Sequence, residues 1–203
     1  MEAIAVIDFE TTGLSPQHGS RATEIGVAIW EKGRIVDRYQ HLMNAGVAIP
    51  RDIEALTGIT NAMVRAAPPA SQVMREVYAF VGQLPLAAHN ASFDQKFWDA
   101  ELARINLQRQ QAFTCTMLLA RRLLPNAPNH KLGTLTRWAK LPATGRAHRA
   151  LADAEMAAYL LGHIEWILNH QHGVVADHAL LCQLQRLPAA KILAQLTHVR
   201  VLP

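Results

Sequence analysis

The chain has 203 residues, half of them hydrophobic, and a formal net charge of +4. These values predict one domain of ordinary size with a substantial core and room for an appendage. The two cysteines, Cys115 and Cys182, form no C-x-x-C motif, which argues against a disulfide framework or a zinc site. No apolar run is long enough to span a membrane and the N-terminus has no signal-like segment, so we expect a cytoplasmic location.

The first predicted element is a strand that starts at Ala3, a run of small and β-branched apolar residues typical of burial on both faces. Asp8 and Glu10 end this run, and because side chains alternate along a strand, both carboxylates point to the same side. Two such carboxylates repel each other and are poorly solvated, which a divalent cation such as Mg²⁺ would relieve. A solvated turn would explain an isolated D-x-E, but the Thr-Thr-Gly that follows favours a ligand site.

Two further strands, over residues 22–30 and 34–43, are joined by a Lys-Gly turn and predict an antiparallel start to the sheet. Short helices are expected over residues 52–56 and 61–64. Residues 71–82 have apolar positions at helical spacing and predict an amphipathic helix.

The second half alternates strands with helices. A short parallel strand over residues 84–89 and another over 113–116 are each followed by a helix, and a third helix is expected over 132–141. A long helix follows from residue 148 to about 169, and two more are expected over 177–187 and 189–197. A meander followed by alternating strands and helices predicts an α/β layered domain around a mixed sheet.

Three further polar residues lie at element ends. Asp94 begins a helix after the polar pair His89-Asn90, and polar groups at a strand end of an open α/β sheet usually contact a ligand. Asp153 lies in an alanine-rich stretch that is awkward for an unpaired charge. Its five-residue separation from His148 places that histidine at or before the helix start and Asp153 one turn inside.

In order and spacing, three segments resemble the motifs of the DEDDh family of 3′-to-5′ exonucleases. They are DFETTGL at residues 8–14, HNASFD at residues 89–94, and His148 with Asp153. Within this family the segments resemble exonuclease X and the proofreading epsilon subunit of bacterial DNA polymerase III. The resemblance covers the chain from about Ala3 to about Ile167 and implies a ribonuclease H-like fold.

The resemblance also implies the chemistry of the site. Asp8, Glu10, Asp94 and Asp153 would hold two Mg²⁺ or Mn²⁺ ions, with Asp8 between the ions. His148 would be the general base, because an imidazole titrates near neutral pH. Residues expected to contact the 3′-terminal nucleotide are Thr11, Thr12, Leu14, Asn90 and Phe93.

The expected function is therefore release of 5′-mononucleotides from single-stranded DNA 3′ ends, in repair or proofreading. An RNA exonuclease of the ribonuclease T or oligoribonuclease type is one alternative. A subunit that binds a DNA polymerase or sliding clamp is another, and it depends on the residues after Gly173. We expect an exonuclease domain over residues 1–170 and a helical extension over residues 171–203 that packs on it.

Overall fold

The computed structural model describes residues 2–201, with side chains to residue 199, and its centre is a mixed sheet. The five strands are β1 (Ile4–Thr11), β2 (Ala22–Glu31), β3 (Arg34–Leu42), β4 (Leu86–Ala88) and β5 (Phe113–Cys115). They lie in the order β3-β2-β1-β4-β5, antiparallel from β1 to β3 and parallel from β1 to β5. The predicted fold class, a meander followed by parallel strands, is confirmed.

Helices flank this sheet close to the predicted positions. Within the described residues they are α1 (Arg51–Thr57), α2 (Asn61–Ala66), α3 (Ala70–Val81), α4 (Ser92–Ala103), α5 (Thr116–Leu123), α6 (Leu132–Trp138), α7 (Ala150–His172), α8 (His178–Leu184) and α9 (Ile192–Val201). Short 3₁₀ helices cover Pro16–His18 and Ala189–Lys191. None of the helices described combines the length and apolar character needed to cross a membrane.

The sheet separates two hydrophobic cores, and the alternation of β1 decides which core each side chain joins. Ile4 and Val6 pack into the core built with α5, α7, α8 and α9. Ala5 and Ile7 point the other way, into the core built with α3 and α4. The even-numbered series continues at positions 8 and 10, so the two acids of β1 belong to the face that α7 covers.

Helix α7 starts in direct contact with the backbone of β2. A Cβ atom at Gly26 would lie 2.2 Å from the Ala150 carbonyl carbon and 2.2 Å from the Leu151 nitrogen. Only glycine fits such an approach without moving the helix. Gly26 is also the cross-strand partner of Asp8, so the helix start is held against the strand pair that carries the acids.

The C-terminal helices cover the β5 edge of the sheet. The side-chain amide of Gln185, just after α8, accepts the Cys115 N–H at 2.6 Å and donates to the Phe113 carbonyl at 2.9 Å. In this way one side chain satisfies two backbone groups of an edge strand. Ile192 and Leu196 of α9 are buried in the same core as α7.

Candidate active site

Strand β1 places Asp8 and Glu10 at the same end of the sheet, facing the start of α7. Glu10 is 9% exposed and Asp8 is half-buried. Burial, followed by the charges of Asp94 and Asp153, raises the pKa of Asp8 well above its ordinary value. Burial and the charge of Asp153 raise the pKa of Glu10 to about 8. The charged forms of both carboxylates are therefore unfavourable at these positions.

The first turn of α4 contributes Asp94 from the opposite side of β1. Its Oδ1 accepts the Phe9 N–H at 3.1 Å, which fixes the carboxyl beside the strand between the two acids of β1. The side chain is 2% exposed, and burial raises the pKa of Asp94 to about 8 although the Phe9 hydrogen bond opposes that shift. A simple acid at a helix start would be solvated, so dipole compensation does not explain this position.

The start of α7 supplies Asp153, with His148 two residues before the helix, as their spacing predicts. The His148 backbone has the left-handed φ of 60°, and its N–H donates to Asp153 Oδ2 at 3.1 Å. Asp153 Oδ1 is buried and has no hydrogen-bond partner among the described residues. Burial raises the pKa of Asp153. One oxygen of this carboxylate thus holds the turn, and the other is left for a ligand.

These residues fit a divalent metal. Glu10, His148 and Asp153 each offer a ligand atom, and the three atoms lie within 4.8 Å of one another. Carboxylate oxygens are the ligands that Mg²⁺ and Mn²⁺ prefer. A cation would also satisfy the orphaned Asp153 oxygen and would offset both the burial and the carboxylate repulsion that raise the pKa of Asp8.

Sequence reasoning missed Glu24, which anchors the start of α7. This fully buried carboxylate on β2 accepts from Arg149 Nη2 at 2.6 Å, from Arg149 Nε at 3.0 Å and from the Ala150 N–H at 3.0 Å. Arg149 and Ala150, which bond to this carboxylate, directly follow His148, so these bonds fix the path of the backbone beside His148. An acid inside the apolar run of β2 is a sign of a buried charge, but the sequence does not identify its partner Arg149, which is remote in the chain.

In the turn after β1, Leu14 is exposed, and the hydroxyls of Thr11 and Thr12 form hydrogen bonds within the protein. Leu14 is 83% exposed and free to contact a ligand. The Thr11 hydroxyl donates to the Gly13 carbonyl at 2.7 Å, and the Thr12 hydroxyl accepts the Arg21 N–H at 3.0 Å. The threonine hydroxyls therefore shape the turn that presents Leu14.

Asn90 and Phe93 lie near the start of α4. Asn90 is exposed, has a φ of 64° and accepts the Phe93 N–H through its carbonyl at 2.9 Å. The half-buried Phe93 ring packs on Phe97, with centroids 5.0 Å apart. His89 binds within the protein through both ring nitrogens, to the Thr116 hydroxyl and the His130 carbonyl. Burial lowers the pKa of His89 to about 4, so this ring is neutral and structural.

The sequence matches known proteins over most of its length. A family model described as Exonuclease, RNase_T, matches residues 5–161. The PolC-type DNA polymerase III of Oceanobacillus iheyensis is 37% identical over 161 residues, which are 79% of this chain and 11% of that protein. The 3′-5′ exonuclease DinG of Bacillus subtilis is 32% identical over 199 residues, 98% of this chain and 21% of that protein. The chain thus spans only a small part of these relatives.

Solved structures match the fold. Exonuclease X in complex with 5′ overhanging duplex DNA has a TM-score of 0.70 and 29% identity, and the match covers 90% of this chain and 99% of that one. The nuclease domain of 3′hExo, a DEDDh family member bound to rAMP, has a TM-score of 0.68 and covers 80% of this chain and 91% of that one. Its identity of 21% shows similarity of fold alone. These neighbours confirm the predicted ribonuclease H-like architecture.

Proposed function

The chain belongs to the RNase_T exonuclease family, and from this premise we propose that it hydrolyses single-stranded DNA from the 3′ end and releases 5′-mononucleotides. The observation that carries the proposal is the mutual repulsion of four acids from β1, α4 and α7, one of which, Asp153, has a buried oxygen without a partner among the described residues. Burying such a cluster is costly unless a cation joins it. A fold supported elsewhere by two apolar cores has no structural need for these charges.

Asp8, Glu10, Asp94 and Asp153 are the residues that would hold two Mg²⁺ or Mn²⁺ ions. When bound, such ions lower the pKa of a water and neutralise charge on the scissile phosphate. The protein's own contribution is positional. The Phe9 N–H holds Asp94, and the His148 N–H holds one oxygen of Asp153.

His148 is the proposed proton acceptor. It is exposed, and its imidazole offers a nitrogen within 4.8 Å of carboxylate oxygens of Glu10 and Asp153. A base in this place takes the proton of a water that those carboxylates help to orient. The same proximity also suits a metal ligand, and the two roles differ in whether removing the imidazole weakens metal binding.

Substrate contact is assigned to the rim of the site. The exposed Leu14 is positioned to lie against the terminal base, on a turn that the hydroxyls of Thr11 and Thr12 hold in shape. The exposed Asn90 and the half-buried Phe93, near the start of α4, are proposed as further contacts. DNA is proposed over RNA because the sequence relatives include DNA polymerases, and because exonuclease X matches along nearly its whole length in a DNA complex.

A second candidate function is the exonuclease part of a polymerase assembly. The PolC-type match favours it, since most of this chain aligns with a small segment of a polymerase. This candidate keeps the same chemistry and adds a polymerase or sliding clamp as partner. For the chain itself we propose an exonuclease domain over residues 1–170 and an extension over residues 171–203 that packs on it, supported by the buried α8 and α9 leucines.

The test compares DNA and RNA strands of the same sequence, each labelled at the 5′ or the 3′ end, with Mg²⁺, with Mn²⁺ and with excess chelator. We expect immediate mononucleotide release from the 3′ label, stepwise shortening from the 5′ label, and neither in chelator. Asp94→Asn serves as the inactive control. Digestion that persists in chelator or begins at the 5′ end would refute the proposal, and faster digestion of RNA would assign the RNA alternative instead.

A further inference from the structure

The outer face of α7 carries a stacked column of aromatic rings that the proposed chemistry does not use. The rings of His163 and Trp166 are nearly parallel, 5° apart with centroids 6.1 Å apart, and those of Trp166 and His170 are 20° and 4.7 Å apart. Trp166 is 49% exposed. A helix brings positions three and four apart onto one face, so the three rings form one column, in which Trp166 and His170 are exposed.

Two adjoining cavities lie between this column and the candidate active site. A cavity of about 760 Å³ has His148 and Asp153 in its lining, and a second of about 450 Å³ is lined by the aromatic column. Leu141 and Pro142 line both cavities, so the two meet at these residues. We call this pair of adjoining cavities the α7 trough.

The lining of the α7 trough is cationic. Its basic residues are Lys131, Arg137 and Lys140 in the cavity that Asp153 also lines, and Lys32 in the cavity of the column. The acid of the second cavity, Glu165, is half-buried and accepts the Trp30 indole N–H at 2.5 Å. Cations next to a stacking surface suit a strand that has phosphates on one side and bases on the other.

We propose that the α7 trough binds the single strand on the 5′ side of the terminal nucleotides, with phosphates on the cations and a base packed on the exposed aromatic column centred on Trp166. This inference rests on the proposed function, because it assumes that the 3′ end lies at the acids. From Ala150 to Trp166 the helix rises about 24 Å. At the ~3.4 Å spacing of a stacked strand, that distance corresponds to roughly seven nucleotides. Only longer substrates reach the column.

The test measures KM for a trinucleotide and for a strand of roughly fifteen nucleotides, a length beyond that reach. In the wild type the longer strand should have the lower KM. Trp166→Ala should reduce this preference about tenfold, which is the size of one lost base stack, and Trp166→Phe should restore most of it. Trp138→Ala is the matched control, because Trp138 is 41% exposed on α6 and is outside the trough lining. For Lys140→Ala, the slope of log affinity for the long strand against log salt concentration should fall by about one, as expected for one lost phosphate contact.

Binding of a fluorescent strand in chelator separates this inference from the proposed function. If the enzyme cleaves nothing but Trp166→Ala still weakens binding of the longer strand, strand binding by the trough stands, whereas the proposed function and the 3′ orientation taken from it fail. If Trp166→Ala and Trp138→Ala give the same length preference as the wild type, the trough proposal is overturned. It is equally overturned if Trp166→Ala converts a dimer into a monomer without changing strand affinity, because the column is then a contact between two copies.

Discussion

Replacing Gly26 with alanine tests whether the contact between β2 and α7 sets the geometry of the site. The new Cβ would lie 2.2 Å from two backbone atoms of the α7 start, whereas ordinary contacts begin at 3.4 Å. Because the obstacle is backbone, no side-chain rotation relieves it, and the helix start must move by about 1.2 Å, the difference between those two distances. That movement carries Asp153 and His148 away from Asp8. A misplacement of about 1 Å costs on the order of 10²-fold in rate, and overpacking costs about 1–3 kcal/mol of stability.

Gly162→Ala is the matched control for this experiment. Its Cβ would lie 2.1 Å from the Trp30 ring, so it also overpacks the interface between β2 and α7, but roughly 18 Å along the helix from Ala150. Both variants should melt earlier, while turnover of a trinucleotide per folded molecule should fall only in Gly26→Ala. Mn²⁺ affinity should weaken in the same variant alone. A Gly26→Ala enzyme with wild-type turnover and metal affinity would refute the view that this contact positions the acids.

Three further predictions address the acids, the histidine and the tail. Because the folded-state pKa of Asp8 is raised, its contribution to apo stability is present below an ordinary aspartate pKa near 4 and is lost as pH rises. In chelator near pH 8, Asp8→Asn should therefore have a higher denaturant midpoint of unfolding than the wild type, and near pH 4 the two midpoints should agree. Equal midpoints at pH 8 would contradict this reasoning. His148→Ala should lose about 10²- to 10⁴-fold in kcat, less as pH rises because hydroxide replaces the base; an equal loss of Mn²⁺ affinity in calorimetry would make His148 a ligand. A chain that ends at Asn169 should melt earlier or aggregate, because it lacks the helices that cover the β5 edge and lacks the core residues Leu181 and Leu184. A soluble, fully active truncation would contradict the proposed packing of the tail.

The fold follows from the sequence because its signals are local. The continuous apolar run of β1 and the helical spacing in α3 are each set by the side chains of a single element. The separation of His148 from Asp153 likewise needs only helix geometry to place one before α7 and the other in its first turn. These features were predictable without knowledge of which elements meet.

What the sequence did not reveal are contacts between remote elements. Glu24 and Arg149 are far apart in the chain, and no local pattern pairs them. The aromatic column on α7 was hidden because an alanine- and leucine-rich helix gives no sign of which face remains open. The internal hydrogen bonds of Thr11 and Thr12 depend on how the turn closes on Arg21. Such features depend on the order of the strands and on which helix covers each face.

The hydrogen bond from the Cys115 N–H to the Gln185 side chain allows one backbone amide to report whether the C-terminal helices are docked. The Cys115 N–H is bonded to the Gln185 side chain, so its exchange with solvent deuterium is slow only while the residues after α7 are seated. Exchange at this amide therefore measures the undocking equilibrium of the C-terminal helices directly. A ligand that draws those helices away would accelerate exchange there, and one that clamps them would slow it. One amide near the middle of the chain thus records the position of a segment some seventy residues further on.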